Sequence, residues 1–128
     1  MITGLHHVSL KCGTKEEFAR AKDFYLNVLG LEVEREWPEG IMIRGGNARI
    51  EIFSNGPGIR SKGAVRHIAF STDDADEAAE RVRLAGYEVF IEPKDIVFPS
   101  EPELHARMAF CVGPLGEEIE FFQEKTLA

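Results

Sequence analysis

The sequence predicts an α+β fold built from two copies of one β-α-β-β-β module, and three observations carry that expectation. Strand-like and helix-like hydrophobic periods follow one another in matching order in the two halves of the 128 residues. Landmark residues recur: His67 follows His7 by 60 residues, Gly86 follows Gly30 by 56, and Glu120 follows Glu51 by 69. Their flanks recur too, as HVSL and HIAF, LGLEV and AGYEV, IEIF and IEFF. A fixed order with offsets that differ by loop-sized amounts marks an internal duplication. The repeats are expected over about 1–56 and 63–128, within one domain covering 1–128.

Residues 5–10, LHHVSL, read as the first strand. Thr14, with Glu17 three residues on, forms a capping box for a helix over about 15–28. Phe18, Ala21, Tyr25 and Leu29 share its apolar face, and Gly30 ends it. Three antiparallel strands follow at 31–37, 41–44 and 48–53, joined by tight turns at Pro38-Glu39-Gly40 and Gly45-Gly46-Asn47. Residues 54–63, rich in Gly and Ser, read as a linker. The pattern then restarts with a strand at 65–72. A helix capped by Asp73 or Asp74 runs to about Ala85, with Ala75, Ala78, Ala79, Val82 and Leu84 on or near its packed side. Strands are expected at 87–92, 105–112 and 117–124. The three prolines of 93–104 predict a long irregular loop, so the second module either lacks one strand or hides it there; the loop is also a candidate lid through Ile96, Val97 and Phe98.

Hydrophobic residues make up 44% and charged residues 29%, so the chain can bury a core and is globular rather than disordered. The net charge of −7 and the lack of any Lys/Arg block argue against nucleic acid and anionic membranes as partners. An anionic ligand would need local basic residues. Cys12 and Cys111 are too few and too far apart for a secreted disulfide framework and read as reduced, buried thiols. The N-terminal MITGLHHVSL has no leader pattern, and a cytoplasmic protein is expected.

Each half places a His at its first strand and a Glu in its last. Glu51 sits between Ile50 and Ile52, and Glu120 between Ile119 and Phe121, so each carboxylate should face away from a helix-covered core. Alternation also predicts that His6 and His7 point to opposite faces. If the halves pack side by side, His7, Glu51, His67 and Glu120 converge as two imidazoles and two carboxylates. That donor set suits one divalent ion, Ni, Zn, Co, Mn or Fe, with positions left for substrate oxygens. Taken singly, a strand Glu is usually solvated and a strand His usually structural; the paired placement is what favours a metal site. His6 and His105 have no such pairing and read as structural or exposed.

Several segments carry a resemblance: LHHVSL, EEFARAKDFYLNVLGLEV, IEIFSN, RHIAFSTDD, AGYEV and GPLGEEIEFFQ. Over nearly its whole length the chain resembles the vicinal oxygen chelate superfamily, which holds glyoxalase I, bleomycin-resistance proteins and extradiol dioxygenases. The resemblance implies two βαβββ modules forming a half-open barrel, with His7, Glu51, His67 and Glu120 as the metal ligands. It implies a glyoxalase I-like lyase or isomerase that acts on a small 2-oxo or hemithioacetal substrate through a metal-held enediolate. Glu120 is then the first choice of base and Glu51 the second, with Lys11 and Asn55 at substrate-binding places and the protein a homodimer. Lys11 stands where glyoxalase I tends to have Arg, and Gly113-Pro114-Leu115-Gly116 replaces the usual D-P-D-G turn. The alternatives are a metal-free protein that sequesters an antibiotic or metabolite, or a dioxygenase or thiol transferase of the same superfamily.

Overall fold

A computed structural model describes residues 1, 5–56, 66–100 and 102–125. The chain divides into two compact units, Met1–Ser61 and Lys62–Ala128. Each is an α+β unit whose element order is β-α-β-β-β.

The first unit holds β1 (Val8–Lys11), α1 (Lys15–Asp23), β2 (Glu32–Trp37), β3 (Gly40–Gly45) and β4 (Ala48–Phe53). The sheet order is β1-β4-β3-β2, with β1 parallel to β4 and the other pairs antiparallel. The capping box forms as expected at one end: Thr14 Oγ1 accepts from Glu17 N–H at 3.0 Å. The Glu17 carboxylate reaches one residue further back than usual, to Gly13 N–H at 2.7 Å. The helical span matches the sequence reading, but its last five residues, Phe24–Val28, form a π-helical turn. Leu29 N–H there bonds to the carbonyl of Phe24, five residues back. This wider turn seats Phe24 as well as Tyr25 in the core, whereas the α-helical period had picked out Tyr25 without Phe24. The two rings meet edge to face with centroids 5.1 Å apart. Ile41, Ile43, Ile50 and Ile52 line the helix-facing side of the sheet.

The second unit holds β5 (Ile68–Ser71), α2 (Ala75–Leu84), β6 (Val89–Phe98), β7 (Leu104–Val112) and β8 (Glu118–Glu124). Its sheet order, β5-β8-β7-β6, with β5 parallel to β8, repeats that of the first. Asp74 is the N-cap, its Oδ1 accepting from Glu77 N–H at 3.0 Å. Gln123 Oε1 accepts from Ala75 N–H at 3.0 Å and ties the helix start to β8. At the other end, Tyr87 N–H bonds to the Val82 carbonyl and Gly86 N–H to the Arg83 carbonyl. With Gly86 at φ 94°, this is the Schellman arrangement. Ala75, Ala79 and Val82 are buried. Leu84, expected near the packed side, is 79% exposed. It lies nine residues past Ala75, which at about 100° per residue is the opposite side of the helix.

Two further expectations are corrected. The first strands begin at Val8 and Ile68, so His7 and His67 stand immediately before a strand instead of within one. The segment 93–104 is mostly not a loop. β6 continues through Pro93 to Phe98 and pairs with β7 as far as Phe98–Leu104, leaving only residues 99–103 as the connection. Pro93 is tolerated because β6 is the outer strand of its sheet and its register shifts between Ile91 and Lys94. Ile96, Val97 and Phe98 are thereby committed to a ladder, and the lid reading is withdrawn. Among the described residues, no helix is long and apolar enough to cross a membrane.

Candidate functional site

In each unit one face of the sheet packs on the helix. Register fixes what the other face carries, because directly paired residues project to the same side. In the first unit Glu51 lies opposite Ser9 on β1 and Met42 on β3, and Met42 lies opposite Arg35 on β2. The next row along holds Lys11, Phe53, Gly40 and Trp37. The row on the other side holds Arg49, Arg44 and Glu32. Glu51 therefore shares its sheet face with Lys11, Arg35, Arg44 and Arg49, in a chain whose net charge is −7. Arg49 is paired with Glu34 at 2.5 Å and Arg44 with Glu32 at 3.2 Å. The Arg49 guanidinium holds the Glu34 carboxyl below the usual carboxylate range. The Lys11 ammonium lies over the Phe53 ring, 5.3 Å from its centroid. Gly40 has no Cβ for a reason: one would stand 2.7 Å from the Trp37 ring, which packs edge-on against Phe53 at 5.5 Å.

The His7 imidazole joins this face. Its Nε2 lies 3.4 Å from Glu51 Oε1. Its Nδ1 lies 2.9 Å from His6 Nδ1, so the two rings are neighbours and do not point to opposite faces as strand alternation had suggested. The alternation fails because the strand has not yet begun. Asn55, a candidate substrate contact, donates its amide to Glu39 at 2.5 Å.

The second unit repeats the pair. His67 Nε2 lies 3.3 Å from Glu120 Oε1. Glu120 is the one buried charged residue among those described, at 8% exposure. Burial pushes its carboxyl above the usual range, against the opposing pull of His67. The neighbours are apolar: Glu120 lies opposite Ala69 and Phe110, and Phe122 opposite Ser71 and Met108. Phe110 meets the His67 ring edge to face at 5.2 Å and the Phe90 ring at 5.6 Å. Sequence reasoning missed Phe110 as a support for His67, because its place opposite Glu120 exists only in the β7–β8 register. His105, expected to be structural, pairs with Glu103 at 2.6 Å.

Each pair has the donor chemistry and the spacing of two ligands to one ion. Two ligand atoms about 2.1 Å from a metal, at angles of about 90–110°, stand about 3.0–3.4 Å apart. The observed separations of 3.4 and 3.3 Å agree with that. Among the described residues, no group of three or more His, Cys, Asp or Glu is arranged so that it could hold a metal ion.

Cys12 and Cys111 are unpaired and buried. Burial raises both thiols, Cys111 to about 12. Neither is a nucleophile near neutral pH.

A family model of the glyoxalase/bleomycin resistance protein/dioxygenase superfamily matches residues 4–121. The chain belongs to that superfamily. Within it, the chain is 34% identical over 136 aligned positions to proteins named lactoylglutathione lyase from Neisseria meningitidis serogroups A and B. That alignment covers 95% of this chain and 91% of each relative. Solved structures share the glyoxalase fold. One is a lactoylglutathione lyase from Agrobacterium tumefaciens, 18% identical, with a TM-score of 0.67 over 95% of this chain and 94% of its own. Another is an antibiotic-binding protein from Streptomyces sp. CB03234, 23% identical, with a TM-score of 0.71 over 97% of this chain and 98% of its own. Proteins whose names describe an enzyme and an antibiotic binder thus share this fold.

Proposed function

We propose that this protein is a metal-dependent lyase or isomerase of the glyoxalase I kind. The observation that carries the reading is the recurrence of the His–Glu pair, at 3.4 Å in one unit and 3.3 Å in the other. The identity to lactoylglutathione lyases supports it. On this reading His7, Glu51, His67 and Glu120 would be the ligands of one divalent ion, Ni, Zn, Co, Mn or Fe. When bound, such an ion acts as a Lewis acid toward substrate oxygens.

The chain's own residues then have distinct tasks. Glu120, buried and with its carboxyl raised, takes the proton from the substrate carbon and returns it to the neighbouring carbon. Glu51, beside Lys11 and Arg35, is the second choice for that task. Lys11 and Arg35 supply positive charge for a carboxylate of the substrate, with Asn55 at the rim. The aromatic and Met side chains around Phe110 exclude water. The protein is proposed to work as a cytoplasmic homodimer on a small-molecule substrate.

A second reading is a metal-free binder for an antibiotic or metabolite. The apolar neighbours of Glu120, namely Phe110, Met108 and Phe122, favour it. One experiment separates the two: metal-stripped protein is reloaded with nickel or zinc and given the hemithioacetal of methylglyoxal and glutathione. Metal-dependent turnover supports the lyase. Metal binding without turnover directs the search to other thiols, thioesters, and the dioxygenase and thiol-transferase chemistries. No metal binding, with ligand retention in His7→Ala, leaves the binder.

A further inference from the structure

His7 uses both ring nitrogens. Nε2 faces Glu51 at 3.4 Å, while Nδ1 faces His6 Nδ1 at 2.9 Å. Only one hydrogen fits between two nitrogens at that distance, so one ring donates and the other accepts. The rings stand nearly perpendicular, at 84° with centroids 5.2 Å apart. We propose that His6 is a positioning residue, accepting the Nδ1–H of His7 and so presenting the Nε2 lone pair of His7 to a cation. This rests on the metal reading above. A His that binds metal through one nitrogen commonly donates the proton on the other to a neighbouring acceptor or to water, and a protein acceptor fixes both tautomer and ring orientation.

The second unit shows that the arrangement is particular to the first. The residue before His67 is Arg66, which has donors and no acceptor. His67 is held instead by ring contact with Phe110. His6 is exposed, so it can exchange protons with water and serve in either hydrogen-bond direction. Ligand-free, it can donate to His7 while His7 Nε2–H turns to Glu51; with a cation it accepts.

The test uses zinc, which is diamagnetic. In the full chain, zinc affinity is measured by chelator competition for wild type, His6→Phe, His6→Asn, His7→Ala and Arg66→Ala. The His7 Nδ1–H signal is followed by nitrogen-edited NMR in the zinc-loaded state. Zinc affinity is expected to fall about 10–100-fold in His6→Phe. His6→Asn, whose amide oxygen can accept, should recover most of it, and Arg66→Ala should match wild type. The His7 Nδ1–H should be protected from exchange in wild type and lost in His6→Phe. An unchanged affinity and an unchanged Nδ1–H signal in His6→Phe would overturn the proposal. So would loss of zinc in His6→Asn combined with its retention in His7→Ala, which would make His6 the ligand. A wild type that binds no zinc overturns the metal reading and this proposal together. A wild type that binds zinc but turns nothing over removes only the reaction.

Discussion

The two units follow one plan and differ in what surrounds the shared pair. In the first, Glu51 sits among Lys11, Arg35, Arg44 and Arg49 on the sheet face away from the helix. In the second, Glu120 sits among Ala69, Phe110, Met108 and Phe122, and is the more deeply buried carboxylate. The helices differ in the same sense. α1 continues into a π-helical turn that buries two aromatic rings, whereas α2 is a plain helix faced with Ala75, Ala79 and Val82. Small side chains let a helix backbone approach its sheet, and α2 lies close to β6, β7 and β8, whereas α1 lies close to β4. The two units thus share a His–Glu pair set in different surroundings, and the proposed function gives proton transfer to Glu120 first.

The sharpest way to break the comparison is to neutralise each carboxylate. Glu120→Gln is expected to lower turnover by about 10²–10⁴-fold while retaining some metal. Glu51→Gln should cost less turnover at saturating metal, and kcat of the two purified variants decides. Equal losses would overturn Glu120 as the first choice of base. Next in size is the core. Phe24→Ala should cost about 3–5 kcal/mol and Ala79→Leu about 1–3 kcal/mol, the first by a cavity and the second by crowding. Urea unfolding of each variant measures both.

Acid sharpens the contrast further. Hydrogen bonds from Arg107 hold the Asp76 carboxyl below its ordinary range, and those from Lys125 and then Arg107 do the same for Asp95. A depressed folded-state value means the unfolded chain takes up protons first. This contribution is therefore present above the ordinary carboxylate range and is lost as pH falls through the depressed values. Glu120 has the opposite sign, its raised carboxyl favouring the folded state while protonated and costing stability as pH rises past the ordinary range. Thermal melts from neutral pH into acid should fall less steeply for Arg107→Met than for wild type. The smallest effect expected is at the thiols. Ellman's reagent should leave Cys12 and Cys111 unmodified in the native protein and react with both in urea.

Much of this was legible before any coordinates. The repeat carried both modules, the Thr14 cap, Asp74 as one of two candidates for the second cap, and one His and one Glu at matching places in each half, because those features depend on short-range chemistry and spacing. That each His meets the Glu of its own half appears only in the fold. What stayed hidden depends on where a ladder starts or how strands register. The strand edges moved His6 to the side of His7. The π-helical turn followed from tertiary packing of Phe24, which no α-helical period reveals. β6 was obscured by Pro93, a residue that breaks central strands but not outer ones. The basic neighbourhood of Glu51 was scattered over β1, β2, β3 and β4, and only pairing assembled it.

Pro93 has one more consequence. β6 is ten residues long, lies at the margin of its sheet and exposes Val97 and Phe98. An outer strand of that length and character invites another strand to add to it, the first step toward a fibril. The missing amide hydrogen of Pro93, together with the shifts in register on both sides of Ile91, interrupts the run on which such growth depends. Filling that position with a valine would straighten the margin and trade solubility over weeks of storage for a slightly more regular sheet.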